Sequence, residues 1–74
     1  MIHININGRK WEWHKANITY DEIVKLVSGS LNIEHLPDYS IKFRIGQYAS
    51  VLLRSEEVGA VDEMKINAYV TGNS

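Results

Sequence analysis

The chain contains no cysteine and one proline among its 74 residues. Without cysteine it has no disulfide scaffold, no thiolate metal site and no thiol nucleophile, so packing alone must stabilise a domain near the lower size limit. No stretch approaches the roughly 20 apolar residues of a membrane-spanning helix, and residues 1–5 lack the features of a secretory signal. We therefore expect a soluble, cytoplasmic protein that does not enter a membrane.

Charge of neither sign predominates. Eight lysine and arginine residues are scattered among nine acidic ones, which gives a formal net charge of -1. Proteins that bind nucleic acid usually carry a clear basic excess. No nucleic acid partner is therefore expected.

One stretch has the start and stop signals of a helix, and it is the only such stretch. Thr19 and Glu22 have the spacing of a capping box, and Ile18 and Ile23 that of a hydrophobic staple. Gly29 supplies the left-handed residue that ends a helix. The apolar stripe between these ends is short, so the helix needs a sheet to pack against.

The rest of the chain alternates between apolar and polar residues, as half-buried strands do. Asn7-Gly8 is a strong signal for a two-residue hairpin between the first two strands. Residues 30–38 are predicted to be a loop and residues 54–59 a polar turn region. The alternating segments, each predicted to be a strand, are residues 2–6, 9–15, 39–45 and 64–70. Residues 48–53 are predicted to be a further strand, whose run Val51-Leu52-Leu53 is too uniform to show which face is inside.

This order predicts a single domain of class α+β. A mixed sheet of four to five strands would pack on one helix, which is the β-grasp (ubiquitin-like) arrangement. Residues 1–70 form the predicted domain, and residues 71–74 form a flexible C-terminal tail.

Four segments carry a resemblance to known proteins: residues 4–9, 18–24, 39–44 and 61–68. Through them the chain resembles the ubiquitin superfamily, and more closely the bacterial multiubiquitin domain family. The helix opening is the most specific part of this resemblance, which spans most of the chain. The chain differs from the family in two respects: members often string several domains together, whereas this chain holds one, and the glycine that commonly precedes the last strand is Glu63 here.

The resemblance implies a protein modifier. Such domains are found with an activating enzyme, a conjugating enzyme and a JAB-type zinc protease, in bacterial pathways that resemble ubiquitination, some of which serve phage defence. The implied product is an isopeptide bond between the modifier and target proteins, and no cofactor is expected.

Gly72 is the sharpest candidate for this chemistry. A modifier's C-terminal carboxylate must enter a narrow activating site, and a residue without a side chain fits such channels. Asn73 and Ser74 would then be a propeptide removed by the protease. The plainer interpretation is an unstructured end of ordinary tail residues. Ubiquitin itself ends in two glycines, whereas the tail of this chain has only one, Gly72.

A second candidate is the sheet face away from the helix, as a contact surface for a partner. If the third and final long strands are neighbours, Tyr69 would lie among basic side chains, although most such faces are simply solvated. Five lysines could also accept another modifier: Lys10, Lys15, Lys25, Lys42 and Lys65. The predicted partner surface consists of Lys42, Arg44, Lys65 and Tyr69.

We expect neither catalysis nor metal binding. His3, His14 and His35 are too dispersed for a zinc site, and no nucleophile motif is present. The alternation in the second strand places Trp11 and Trp13 on its inward face. They are expected to pack in the core rather than stack on a ligand. Two other functions remain open: a non-covalent binding module with an inert tail, and a sulfur carrier, although such carriers normally end in two glycines.

Overall fold

The computed structural model describes residues 1–30 and 36–71, which form a small α+β domain with one α-helix and seven strands. The predicted helix and all five predicted strands are present. In chain order the elements are β1 (Ile2–Ile6), β2 (Arg9–Trp13), β3 (Asn17–Thr19), α1 (Tyr20–Ser28), β4 (Tyr39–Ile45), β5 (Tyr48–Leu52), β6 (Glu57–Gly59) and β7 (Lys65–Val70).

Five strands form one mixed sheet in the order β2-β1-β7-β4-β5. The two hairpins β1–β2 and β4–β5 are antiparallel, and β7 lies between them. It runs antiparallel to β4 and parallel to β1. The last strand in the chain therefore occupies the centre of the sheet and joins its two halves.

The core lies between α1 and one face of this sheet. Ile23 and Val24 of the helix are buried, and the Tyr20 hydroxyl accepts a hydrogen bond of 2.8 Å from the Tyr39 N–H. The sheet contributes alternate residues, as the period of two predicts. The buried residues outside the helix are Ile4, Ile6, Ile18, Ile41, Phe43, Leu52, Met64, Ile66 and Ala68.

Both ends of α1 are stabilised as predicted. The Glu22 N–H donates to Thr19 Oγ1 at 3.1 Å, and the Thr19 N–H donates to Glu22 Oε1 at 2.9 Å, so the capping box is closed. At the other end Gly29 has φ 75°, and its N–H donates to Lys25 O at 2.9 Å. The structure confirms the predicted start and end of the helix.

The capping carboxylate makes stability depend on pH. Partial burial is the largest influence on Glu22 and opposes ionisation, but hydrogen bonds from Lys15 Nζ and the Thr19 N–H, with the Lys15 charge, together lower its pKa below the ordinary 4.5. As the pH falls, the Glu22 carboxylate is therefore protonated at a higher pH in the unfolded chain than in the folded one.

We expect the ionised Glu22 side chain to contribute to the free energy of unfolding above about pH 4.5. This contribution should be lost as the pH falls through the folded-state pKa. Glutamine also serves in a capping box, so Glu22→Gln keeps the cap but has no charge to titrate. Urea unfolding of both proteins from pH 7 to pH 3 checks this. The native chain should lose more free energy of unfolding than the variant; equal losses would contradict the prediction.

The first hairpin also matches the prediction. Asn7 and Gly8 have φ 54° and 85°, the positive values that a two-residue primed turn requires. Trp11 and Trp13 are half-buried and pack against the core from β2. The Trp13 indole N–H donates to Asn17 O at 3.0 Å. Both tryptophans therefore have the packing role expected of them.

Several details of the sequence prediction were wrong. Part of the expected polar turn region, Glu57–Gly59, is strand β6, which pairs with the unpredicted β3 in a second, two-stranded sheet. A strand of three residues is too short to recognise without its partner. Val70, the last apolar residue of the alternating segment 64–70, is 52% exposed because it lies opposite Tyr39 at the end of the ladder. Strands β2 and β5 end at Trp13 and Leu52 rather than at Lys15 and Leu53, and β7 begins at Lys65 rather than at Met64.

Most of the predicted loop over residues 30–38 lies outside the described residues, and so does His35. Leu36 is partly buried against the core. In the described parts of the chain, no helix combines the length and the apolar character needed to cross a bilayer.

Candidate functional site

The sheet face away from α1 carries all four residues of the predicted partner surface. Strands β4 and β7 are neighbours, with Ser40 opposite Tyr69, Lys42 opposite Asn67 and Arg44 opposite Lys65. All six side chains are exposed because they alternate with buried residues of the same two strands. The register therefore places Lys42 diagonal to Tyr69, and it places Arg44 and Lys65 farther along the ladder.

The exposed face also has an apolar part that the sequence did not locate. Val51 lies opposite Lys42 on the other side of β4, and Leu53 follows the end of β5. Val51 is 48%, Leu53 59% and Tyr69 61% exposed, whereas Leu52 is buried. In the uniform run Val51-Leu52-Leu53 only the pairing with β4 decides which residue faces the core.

The same face is basic although the chain as a whole is not. Asn5 of β1 pairs with Lys10 on one side and with Lys65 on the other, which extends the set of cations across the sheet. Like charges directly opposite each other, such as Arg44 and Lys65, destabilise a sheet. An acidic partner would relieve that repulsion. We call Lys10, Lys42, Arg44 and Lys65 the basic face.

The C-terminal end of β7 lies beside this surface. The Thr71 N–H donates to Asp38 O at 2.8 Å, so the ladder with β4 continues one residue past β7. Thr71 is exposed and lines a depression of about 300 Å³ with Leu53 and Arg54, and Arg54 forms an ion pair with Asp38. The predicted tail is thus held at its first residue.

The predicted conjugation and processing residues, Gly72 and Asn73, lie outside the described residues. Among the five candidate acceptor lysines, Lys15 forms an ion pair with Glu22. All five are exposed. None of them is distinguished as a modification site by its surroundings.

The site therefore consists of a basic and partly apolar sheet face, with Thr71, the last described residue, at its margin. The features it offers to another molecule are exposed positive charge and exposed apolar side chains. A comparison of the chain with protein-family models, curated proteins and solved structures found no match.

Proposed function

We propose that the chain is a ubiquitin-like protein modifier with a β-grasp fold, cleaved after Gly72 and attached through the Gly72 carboxylate to amines of target proteins. The observation that carries this proposal is the course of β7. It lies at the centre of the sheet, parallel to β1, and delivers exposed Thr71 to the margin of the sheet. At that place an enzyme can reach the chain beyond Thr71 while the domain stays folded.

The strand order supports the β-grasp assignment. A hairpin leads into the helix, and after a second hairpin the final strand inserts between β1 and β4. Because fold does not determine function, the modifier assignment also depends on the tail.

The chemistry would consist of one hydrolysis followed by four displacements. A JAB-type protease hydrolyses the bond between Gly72 and Asn73. An activating enzyme then joins the Gly72 carboxylate to the AMP of ATP with release of pyrophosphate, and a cysteine thiolate of that enzyme displaces AMP to form a thioester. A cysteine thiolate of the conjugating enzyme displaces the first thiolate, and a target amine finally displaces the second to give an isopeptide bond. Glycine suits these steps because it adds no side chain near the reacting carbonyl.

The test is to express the chain with an N-terminal tag in its source organism and to recover it under denaturing conditions. We expect covalent conjugates of higher mass, and peptides in which a target lysine carries a chain ending at Gly72. Gly72→Ala should reduce the conjugates at least about ten-fold. Recovery of only the free chain, still ending in Asn73 and Ser74, would contradict the proposal.

Gly59→Ala is the matched control. Gly59 is exposed and lies in ordinary backbone conformation, and an added Cβ would approach only Asn17 Oδ1, at 4.0 Å. This variant should fold and form conjugates like the native chain. A loss in both glycine variants would point to instability rather than to the tail.

A non-covalent binding module is the second candidate function, favoured by the exposed Tyr69, Val51 and Leu53 beside the basic face. Under this alternative, Gly72→Ala keeps partner binding, whereas Tyr69→Ala weakens it in native pull-downs. Tyr48 is a suitable control because it is 63% exposed but lies on the other face, in ring contact with Phe43. Tyr48→Ala should bind like the native chain.

A further inference from the structure

The side chains of His3, Asp62 and Glu63 come together although they are far apart in the sequence. Each offers one ligand atom, and these atoms all lie within 4.8 Å of one another. In the described residues this is the one group of three or more potential metal ligands. Metal bonds of about 2.1 Å place neighbouring ligand atoms about 3.0–3.4 Å apart, so small side-chain rotations would complete the geometry.

We propose that His3, Asp62 and Glu63 bind a divalent transition-metal ion such as Zn²⁺. One imidazole nitrogen with two carboxylates is a mixed set that suits these ions, whereas Ca²⁺ and Mg²⁺ prefer oxygen ligands alone. A site with three protein ligands would leave at least one position for water.

The backbone fixes the relative position of the three residues. The His3 N–H donates to Asp62 Oδ1 at 2.8 Å, which leaves Oδ2 of that carboxylate available for a metal. The Glu63 N–H donates to His3 O at 2.7 Å. These two hydrogen bonds hold the turn before β7 against β1. The three side chains are therefore kept close together by the folded backbone.

Among the described residues, the two carboxylates of the cluster have no basic partner at ion-pair distance. Both carboxylates are exposed, and among the described residues no lysine or arginine nitrogen lies within 4.0 Å of either one. Their negative charges are therefore not neutralised by an ion pair. A bound divalent ion would supply that neutralisation.

Glu12 is placed to orient the histidine. It lies directly opposite His3 in the β1–β2 register, and its Oε2 is 3.9 Å from His3 Nε2. A carboxylate beside one ring nitrogen of a ligating histidine commonly fixes which nitrogen faces the metal. If this 3.9 Å separation shortens to a hydrogen bond on metal binding, Glu12 would hold Nε2 and leave Nδ1 of His3 as the ligand.

The test is titration of the purified chain with ZnCl₂ alone, followed by calorimetry and by amide chemical shifts. We expect saturable binding of one ion, with shift changes centred on residues 3, 12, 62 and 63 and a raised thermal midpoint. His3→Gln, Asp62→Asn and Glu63→Gln should each weaken binding at least about ten-fold, and Glu12→Gln by less. Asparagine at residue 62 still accepts the His3 N–H, so the turn should stay in place.

His14→Gln and Asp21→Asn are the matched controls, since both residues are exposed and lie outside the cluster. They should bind Zn²⁺ like the native chain. Native affinity in Glu63→Gln together with loss in His3→Gln would overturn the proposal, because the histidine would then bind without the carboxylates. Absence of saturable binding, or equal weakening in His14→Gln, would overturn it as well.

Discussion

Ile23→Ala is expected to lower the free energy of unfolding by about 2–5 kcal/mol, the usual range for truncating a buried isoleucine. Ile23 is 0% exposed, between α1 and the sheet. A domain of this length has a total stability of roughly 4–11 kcal/mol, so the variant should be close to unfolding. Alanine favours helix more than isoleucine does, and the loss therefore reports packing rather than helix propensity.

Urea unfolding followed by circular dichroism measures this effect. Lys25→Ala is the control on the same helix, because Lys25 is exposed and alanine again improves helix propensity. Its free energy of unfolding should stay within about 0.5 kcal/mol of the native value. A similarly small change for Ile23→Ala would show that the helix does not pack on the sheet as described.

Asn7→Ala is expected to cost about 2–4 kcal/mol, although Asn7 is a turn residue on the surface. Strands β1 and β7 pair directly only at Asn5 with Lys65 and at Ile6 with Ile66. The Asn7 N–H donates to Ile66 O at 2.8 Å, and beyond that bond the Asn7 side chain replaces the backbone as partner. Its Nδ2 donates to Ala68 O at 2.9 Å, and its Oδ1 accepts from the Ala68 N–H at 2.8 Å.

Ala68 is 1% exposed, so removing the amide leaves a buried donor and a buried acceptor unpaired. Alanine is also less tolerant than asparagine of the φ of 54° at this position. Asn7→Gly separates the two effects, because glycine removes the amide but keeps the turn. We expect Asn7→Gly to lose less stability than Asn7→Ala and still more than the exposed control Asn67→Ala. Equal stability of all three variants in urea unfolding would contradict the amide's role.

Signals between near neighbours in the chain were sufficient to predict the helix and the first hairpin. Thr19 and Glu22 are three residues apart, and Asn7 and Gly8 are adjacent, so their hydrogen bonds and dihedral angles follow from local chemistry. Alternation likewise predicted which face Ile41 and Lys42 occupy. The placement of Lys42, Arg44, Lys65 and Tyr69 on one exposed face follows from the same rule.

The remaining features depend on contacts that no local pattern specifies. Strand β6 has three residues and exists because Val58 pairs with Ile18, forty positions earlier. Val51 and Leu53 could be assigned to the exposed face only from the register with β4. The roles of Gly72 and Asn73 stay predictions, since both residues lie outside the described part of the chain.

The sequence by itself determined the helix with its capped ends, the five strands of the larger sheet and their order, because each depends on side chains within about four residues. Only the tertiary structure decided that β7 lies between β1 and β4, that Asn7 pairs with Ala68, and that His3 meets Asp62 and Glu63. The physical reason is that these contacts join segments between about twenty and sixty residues apart. They form together with the isoleucine-rich core, whose burial holds the two ends of the domain side by side.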